Sequence, residues 1–291
     1  MILFLKPVFF HRVWGGEKLR TEFNYDTMES CGEAWGISAH QNGSSIIENG
    51  MYKGKTLREL FNEQRELFGN YSADEFPIIV KFIHAKEDLS VHTHPDNDYA
   101  KKHHNSLGKD KCWYVLDAQP GAKVIIGHFA ADKKELIQHI ETNKLKHILN
   151  RFKIRKGDFF YLEAGTLQGI CKGSLLLEVD QSSDITYRVF DYNRTFDGEK
   201  RQLHITDALN VIKAPDSSVI EFPKNTFFNF DIQKINKEEK FKASTHGDYL
   251  CILDGDGFIN EHPIKKGDFI MVSSDDRYII KGDVRVQKTT F

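Results

Sequence analysis

Short runs of β-branched and aromatic residues, separated by Gly, Asn and Asp, recur along most of the chain. Clear cases are residues 78–83, 112–116, 123–126, 174–178 and 269–272. Apolar runs of this length with turn residues between them are typical of buried β-strands. The pattern therefore predicts a mainly β protein in which many short strands form sandwiches or barrels.

Three stretches have a helical pattern instead. In residues 56–68, Leu57, Leu60 and Phe61 share one helical face, and Thr56 and Glu59 have the spacing of a capping box. Residues 98–107 predict a short helix. Residues 132–152 predict a helical hairpin that breaks near Asn143.

One segment of the chain is repeated. Residues 154–162 (IRKGDFFYL) reappear as residues 264–272 (IKKGDFIMV). The Lys-Gly-Asp triplet of each copy suits a hairpin turn, because Gly accepts a positive φ and Asp hydrogen-bonds its own backbone. The connection that precedes the first copy is longer than the one that precedes the second, and the additional residues correspond to the predicted helical hairpin. We therefore predict two jelly-roll β-barrel domains, residues 1–215 and 216–291, with a helical insertion near 132–152 in the first and a boundary near 213–218.

Composition narrows the classes of function. The 291 residues include 40 Lys and Arg against 42 Asp and Glu, so the net charge of −2 gives no general attraction to nucleic acid or anionic lipid. No apolar run approaches the roughly 20 residues of a membrane helix. The four cysteines form no C-x-x-C pair, which argues against a disulfide framework or a zinc ribbon. We expect a cytoplasmic protein that binds neither nucleic acid nor membrane.

The most specific local signal is the sequence His92-Thr93-His94. Residues i and i+2 of a strand face the same way, so both imidazoles could bind one metal ion. The alternative is a pair of surface histidines beside a turn. On a strand of a duplicated β-barrel, the pair resembles the metal motif of cupins.

A series of short motifs follows in a distinctive order through most of the first 215 residues. They are KP at 6–7, WGG at 14–16, GEAW at 32–35, AHQNG at 39–43, FP at 76–77, LS at 89–90, HP at 94–95, GK at 108–109, GD at 157–158, GT at 165–166 and TYRVFD at 186–191. Their order and spacing resemble the short bacterial type I mannose-6-phosphate isomerases. The resemblance implies two cupin domains and a zinc-dependent exchange of mannose 6-phosphate and fructose 6-phosphate. The reaction moves a proton between C1 and C2 through a cis-enediol, with zinc as the Lewis acid.

The resemblance also implies roles for individual residues. It makes Arg188 and Lys109 catalytic residues, and it places Ser90 and Lys111 against the substrate. The phosphate of the sugar would then meet the hydroxyl of Ser90 and the ammonium of Lys109. Without such a role, Arg188 would form an ion pair with Asp184 or Asp191.

The chain departs from the family at the zinc ligands. The family uses a Gln and a His in its L-S-x-Q-x-H-P segment, a Glu before the C-W-Y strand, and a later His. The corresponding residues here are His92, His94, Lys111 and Gln168. His92 and Gln168 together keep one imidazole and one amide, but Lys111 replaces an anion by a cation. Beside a divalent ion this costs several kcal/mol even at an effective dielectric constant of about 20. We therefore expect ordinary zinc binding to be unfavourable, which leaves another divalent metal on His92, His94 and Gln168, or no metal.

Three functions remain open from the sequence. The first is a mannose-6-phosphate isomerase with a non-standard metal site, or with Lys111 as the cation. The second is a catalytically inactive paralogue that binds a sugar phosphate and has lost zinc. The third is a cupin isomerase that acts on another phosphosugar. In all three the partner is a small sugar phosphate.

Overall fold

A computed structural model of the chain describes residues 1–196, 198–216 and 226–291. The strands of the first half are β1 Ile2–Lys6, β2 Val8–Gly16, β3 Cys31–His40, β4 Gly43–Ser44, β5 Ile46–Ile47, β6 Ile78–Ala85, β7 Val91–Thr93, β8 Lys111–Ala118 and β9 Lys123–His128. The later strands are β10 Leu149–Lys153, β11 Phe159–Leu162, β12 Gln168–Ile170, β13 Ser174–Gln181, β14 Tyr187–Phe190, β15 Thr195–Phe196, β16 Glu199–Lys200, β17 Asn229–Lys242, β18 Asp248–Ile259, β19 His262–Lys265, β20 Phe269–Val272 and β21 Arg277–Thr290. The prediction of a mainly β protein is confirmed.

Helices are few and short. They are α1 Lys18–Phe23, α2 Leu57–Glu63, α3 Asn97–His104, α4 Lys133–Glu141 and α5 Ile205–Val211. The capping box is confirmed, because Thr56 accepts a hydrogen bond from the backbone of Glu59 and the Glu59 side chain bonds the Thr56 backbone. In the described ranges, no helix is long and apolar enough to cross a membrane.

The predicted helical hairpin is only half correct. Its first arm is α4, which ends where Asn143 takes a left-handed backbone conformation with φ of 57°. The second arm is wrong, because β10 occupies Leu149–Lys153 and pairs with β9. From Asn150 onward its burial alternates, with Asn150 and Phe152 half-buried and Arg151 and Lys153 exposed. Over so few residues, the apolar positions fit the period of a helix as well as that of a strand.

Three large sheets form successive layers. The central sheet has the order β11-β8-β13-β6-β3-β2, the outer sheet β10-β9-β12-β7-β14, and the C-terminal sheet β17-β21-β18-β20-β1-β5. One apolar core lies between the central and outer sheets and another between the central and C-terminal sheets. The helices α4 and α5 cover the far face of the outer sheet. The central sheet is therefore buried on both faces.

Burial on both faces explains why the strands of the central sheet are continuous apolar runs. The exceptions are charged residues within these strands. Along β6, Val80 and Phe82 pack towards the C-terminal sheet, whereas Ile83 packs towards the outer sheet. By the period of two, Lys81 faces the outer sheet as well. The same alternation turns Glu178 of β13 and Lys111 of β8 towards the outer sheet. Their neighbours along each strand belong to the core between the central and C-terminal sheets.

The sequence repeat is a structural repeat. Gly157 and Gly267 both have positive φ, at 95° and 93°. Each following aspartate accepts a hydrogen bond from a backbone N–H three residues earlier, from Arg155 to Asp158 and from Lys265 to Asp268, both at 2.9 Å. The strands that follow, β11 and β20, occupy equivalent places beside β8 and β18.

The chain's first strand belongs to the C-terminal sheet. β1 pairs with β20, with Ile2 opposite Val272 and Leu5 opposite Phe269. The predicted boundary near 213–218 runs into residues 217–225, which lie outside the described residues. The division into residues 1–215 and 216–291 stays a prediction. In it, β1 belongs to the first part by sequence but pairs with a strand of the second part.

Gly36 sets the distance between the central and C-terminal sheets. A Cβ at this position would stand 2.2 Å from the ring of Phe269, which is buried. We expect Gly36→Ala to destabilise the protein by about 1–3 kcal/mol, because overpacking forces the ring to move. A thermal melt would show a drop of about 2–4 °C per kcal/mol for a chain of this size.

A second variant controls for the mechanism. Phe269→Leu removes the ring, so Gly36→Ala should cost less in the Phe269→Leu background than in the wild type. A Gly36→Ala protein that melts like the wild type would contradict the predicted contact.

Candidate functional site

A cavity of about 450 Å³ opens between the central and outer sheets. Most of the polar side chains that line it are charged groups or imidazoles. They are Arg12, Glu33, Lys81, Ser90, His92, His94, Lys109, Lys111, Glu178, Asp184, Arg188, Arg201 and His204. All the site residues predicted from the sequence line it except Gln168, which is fully buried directly opposite His92 on the neighbouring strand.

The two histidines lie side by side, with ring centroids 5.0 Å apart. His92 Nδ1 donates to the carbonyl of Ser90 at 2.8 Å, and His94 Nδ1 donates to the carbonyl of Ile185 at 2.7 Å. Burial, followed by the charge of Lys111, lowers the pKa of His92 to about 3 and that of His94 well below its usual value. Both imidazoles are therefore neutral at pH 7, and each keeps a lone pair on Nε2.

Several buried polar atoms of this region have no hydrogen-bond partner among the described residues. They include Nε2 of His94 and both amide atoms of Gln168. A buried polar group without a partner costs about 1–3 kcal/mol. Such groups usually mark a place where water or a ligand binds. The unpartnered atoms support a ligand site at this end of the cavity.

Lys111 points into the barrel beside the histidine pair. Its Nζ donates to Glu178 Oε2 at 3.2 Å and lies 5.9 Å from the ring centre of Trp113. Burial lowers the pKa of Lys111 to about 8, although Glu178 acts in the opposite direction. Among charged groups, Lys111 has the largest influence on the pKa of both His92 and His94. Lys111 and both imidazoles line the same cavity.

Asp110 does not replace the missing carboxylate. Its side chain accepts hydrogen bonds from the hydroxyl of Tyr161 at 3.0 Å and from the backbone of Ala164 at 2.7 Å. The register of β8 is regular here, with Lys111 opposite Asp180 and Leu162. Asp110 and Lys111 thus face opposite sides of the strand, as the period of two requires.

Six buried charges form what we call the ion cluster: Lys81, Lys109, Lys111, Glu33, Glu178 and Asp180. Lys81 Nζ lies 2.8 Å from Glu178, 3.2 Å from Asp180 and 3.7 Å from Glu33. Lys109 Nζ lies 3.0 Å from Asp180. Burial alone would lower the pKa of Lys81, but Asp180, Glu178 and Glu33 together raise it. Three ammonium groups and three carboxylates therefore neutralise one another.

Arg188 differs from these lysines because it makes no ion pair with any described residue. It lies on β14 directly opposite His92, and its buried Nε has no hydrogen-bond partner. Asp191, one of its expected partners, instead binds Arg194 and Arg201. The guanidinium of Arg188 is thus available to a ligand.

Several cavity residues were missed by the sequence reasoning. Lys81 and Glu178 stand in the middle of apolar runs that form buried strands. Charged residues are almost never fully buried unless they are paired, so a lone charge in such a run was a usable signal. Arg201 and His204 carry no such signal, since they lie in a connection before α5.

The donor set does not fit zinc. Two imidazole nitrogens lie nearby, with the neutral amide of Gln168 on the neighbouring strand. The carboxylate of Glu178, which lines the same cavity, is held by Lys81, Lys111 and Trp113. In the part of the chain that the structure describes, no three His, Cys, Asp or Glu side chains are grouped to hold a metal. The ammonium of Lys111 would also repel a divalent ion.

The chain is similar to known isomerases along its whole length. A family profile, "Phosphomannose isomerase type I, catalytic domain", matches residues 2–131. Mannose-6-phosphate isomerase ManA of Bacillus subtilis (strain 168) is 39% identical over 291 residues, which cover 93% of this chain and 92% of that protein. A mannose-6-phosphate isomerase of Streptococcus mutans is 49% identical over 212 residues, 72% of this chain and 67% of that one.

Solved structures agree with this similarity. The crystal structure of mannose 6-phosphate isomerase from Bacillus subtilis superposes with a TM-score of 0.95 at 38% identity, covering 100% of this chain and 99% of that one. An Archaeoglobus fulgidus protein has a TM-score of 0.80 at 19% identity, covering 99% and 97%, and supports the fold alone. The predicted cupin-type fold is confirmed.

The ion cluster predicts how stability depends on pH. Burial would raise the pKa of Glu33, but Lys81 and Arg12 lower it from 4.5 to about 2. The stabilisation is therefore present above about pH 4.5 and is lost as the pH falls towards 2. We expect Glu33→Gln to reduce the free energy of unfolding by about 3 kcal/mol at pH 7, and the difference from wild type to shrink in acid.

Urea unfolding of both proteins at several values between about pH 7 and pH 3 measures this difference. Glu29→Gln is the matched control, because Glu29 is exposed and its contact with Arg20 is 3.4 Å long. A difference between wild type and Glu33→Gln that stays constant over the whole range would contradict the assignment.

Proposed function

The chain belongs to the type I phosphomannose isomerase family, and from this premise we propose that its cavity binds a hexose 6-phosphate without a metal ion. It is a mannose-6-phosphate isomerase-like protein. The observation that carries the proposal is the buried ammonium of Lys111, held 3.2 Å from Glu178 beside the histidine pair. We propose that the protein has kept the sugar-phosphate pocket and lost zinc-dependent turnover.

A comparison of charges supports retained binding. In the family pattern, one carboxylate and one zinc ion at this position sum to a single positive charge. Lys111 supplies a single positive charge in the same place. An anionic ligand therefore meets the same total charge in either case, although the ammonium lacks the open coordination positions of zinc.

The groups of the cavity also suit a sugar. The ammonium of Lys111 and the guanidinium of Arg188 can donate to sugar and phosphate oxygens. The Nε2 lone pairs of His92 and His94 can accept from hydroxyl groups. Because polar groups of the free protein lack partners here, a polyhydroxylated ligand would satisfy them.

The two histidines are poorly suited to proton transfer. A general base works best when its pKa lies near the working pH, and the pKa of His92 is about 3. A metal-independent isomerase is nevertheless a second candidate, because Lys111 and Arg188 offer two cations that could stabilise an enediolate. Turnover measurements separate the two candidates.

We expect chelator-treated protein to bind mannose 6-phosphate with the same dissociation constant as untreated protein, because the cation at the site is part of the chain. Titration calorimetry on both samples measures the constant. A coupled assay for fructose 6-phosphate on the same samples should show no turnover in either.

Variants sharpen this test. Lys111→Met should weaken binding at least tenfold, whereas Lys53→Met, at an exposed position, should leave it unchanged. Loss of binding or of activity on chelation would overturn the proposal. Turnover that ignores the chelator would support the second candidate instead.

Restoring the family pattern should create a metal site. We expect the double variant Lys111→Glu, Gln168→His to bind one zinc ion per chain, because it would bring a carboxylate and a third imidazole to His92 and His94. Metal analysis after dialysis measures the stoichiometry, and added zinc should raise the melting temperature. The wild type, and Gln168→His alone, should bind no stoichiometric zinc. A folded double variant without zinc would show that these positions do not share one site.

A further inference from the structure

Lys111 is held less firmly than the other two lysines of the ion cluster. Lys81 Nζ reaches three carboxylates, at 2.8, 3.2 and 3.7 Å. Lys109 Nζ lies 3.0 Å from Asp180, which is fully buried. Lys111 has one ion pair among the described residues, at 3.2 Å to Glu178. It is therefore the lysine whose nitrogen most readily takes another partner.

The carboxylate of Glu178 does not depend on Lys111 for its pairing. Its Oε1 lies 2.8 Å from Lys81 Nζ, and its Oε2 accepts a hydrogen bond from Trp113 Nε1 at 2.5 Å. The bond from Lys111 to Oε2 is the longest of these three contacts. Glu178 therefore stays paired and in place while the nitrogen of Lys111 changes its bonding.

The surroundings of Lys111 activate its amine. The side chain is buried, and it lines the cavity of about 450 Å³ in which the sugar is proposed to bind. Burial lowers the pKa of Lys111, Glu178 opposes this shift, and Lys109 and Lys81 add to it. Desolvation and a neighbouring cation are two means by which proteins turn a lysine into a nucleophile.

The proposed ligand carries the group with which such an amine reacts. A hexose 6-phosphate that is an aldose exposes an aldehyde at C1 whenever its ring is open. Lysine amines form imines with carbonyl compounds of this kind. The hydroxyl groups of the open chain can donate to the Nε2 lone pairs of His92 and His94, which line the same cavity.

We propose that Lys111 captures the open-chain aldose phosphate covalently, as a reversible imine between its Nζ and C1 of the sugar. This inference rests on the proposed function and deepens it, because it adds a chemical step to a pocket that binds without a metal ion. The glutamate that the family pattern has at this position carries no amine and cannot form such a bond.

The step balances in atoms and in charge. The ammonium of Lys111 passes one proton to Glu178 Oε2, 3.2 Å away, and the free amine adds to C1. A second amine proton moves to the carbonyl oxygen, which gives a carbinolamine. The proton held by Glu178 then joins the departing hydroxyl, so that one water molecule leaves and a C=N bond forms. The protonated imine has the same single positive charge as the ammonium, and the ion cluster stays neutral.

Reductive trapping tests the proposal. Mannose 6-phosphate is incubated with the protein and cyanoborohydride, which reduces an imine to a stable secondary amine. Intact-mass measurement should show one adduct per chain, heavier than the protein by mannose 6-phosphate less one oxygen atom. Peptide mapping should place the adduct on Lys111 about tenfold or more often than on the exposed Lys53, because the cavity holds the aldehyde beside the amine.

Variants and a competitor separate the cavity from ordinary surface chemistry. Lys111→Arg keeps a positive charge but has no nucleophilic amine, so the adduct should fall to the background seen at Lys53. Lys53→Arg is the matched control and should leave trapping at Lys111 unchanged. Sorbitol 6-phosphate, which has no carbonyl group, should protect Lys111 by occupying the cavity. Thermal melts of each variant verify that the protein is folded during trapping.

The outcomes separate this inference from the proposed function. Calorimetric binding of mannose 6-phosphate without an adduct at Lys111 would overturn the inference alone, and so would equal labelling of Lys111 and Lys53. A second probe is glyceraldehyde 3-phosphate, an aldose phosphate too short to close a ring. Selective trapping of this probe at Lys111 by a protein that does not bind mannose 6-phosphate would overturn the proposed function alone. Absence of both binding and trapping would overturn both.

Discussion

Charges buried inside the barrel must neutralise one another because water cannot solvate them there, and this constraint organises the centre of the molecule. Lys81 satisfies it by reaching three carboxylates from the middle of an apolar strand. Removing one partner of such a group strands an uncompensated charge at a cost of several kcal/mol. The cluster therefore fixes which way Lys111 and Glu178 point, and it leaves Arg188, which makes no ion pair with any described residue, able to meet an anion.

The same constraint explains how a lysine can stand where the family resemblance implies a metal ligand. A carboxylate at the position of Lys111 would add a fourth negative charge to the three carboxylates of the ion cluster and remove one of its three ammonium groups, and a bound cation would be needed to balance it. With an ammonium at this position the cluster is neutral, because Lys111 balances the charge of the carboxylates without an ion from solution. Under the proposed function, the exchange removes a Lewis acid but preserves the net charge of the pocket.

How far the sequence could predict the site depends on the range of the contacts involved. His92 and His94 were found because a period of two along one strand brings them together. Lys111 and Gln168 were found only because a family pattern marked their positions. Arg201 could not be found in either way, since it reaches the cavity from the connection before α5 and is held by Asp191, a carboxylate ten residues away. The strand β10 was mistaken for a helix for a related reason, because its pairing with β9 outweighs its local pattern.

The pairing of β1 with β20 has a consequence for the order in which the protein can assemble. Met1 donates to Ser273, 272 positions along the chain, so the sheet joins residues that are far apart in sequence. Contacts of such separation close large loops and slow folding. During synthesis, β1 must wait with an unpaired edge until β20 has left the ribosome, and an exposed strand edge is a site for aggregation. The cavity residues of the central sheet can fold earlier, because the strands of that sheet precede β20 in the chain.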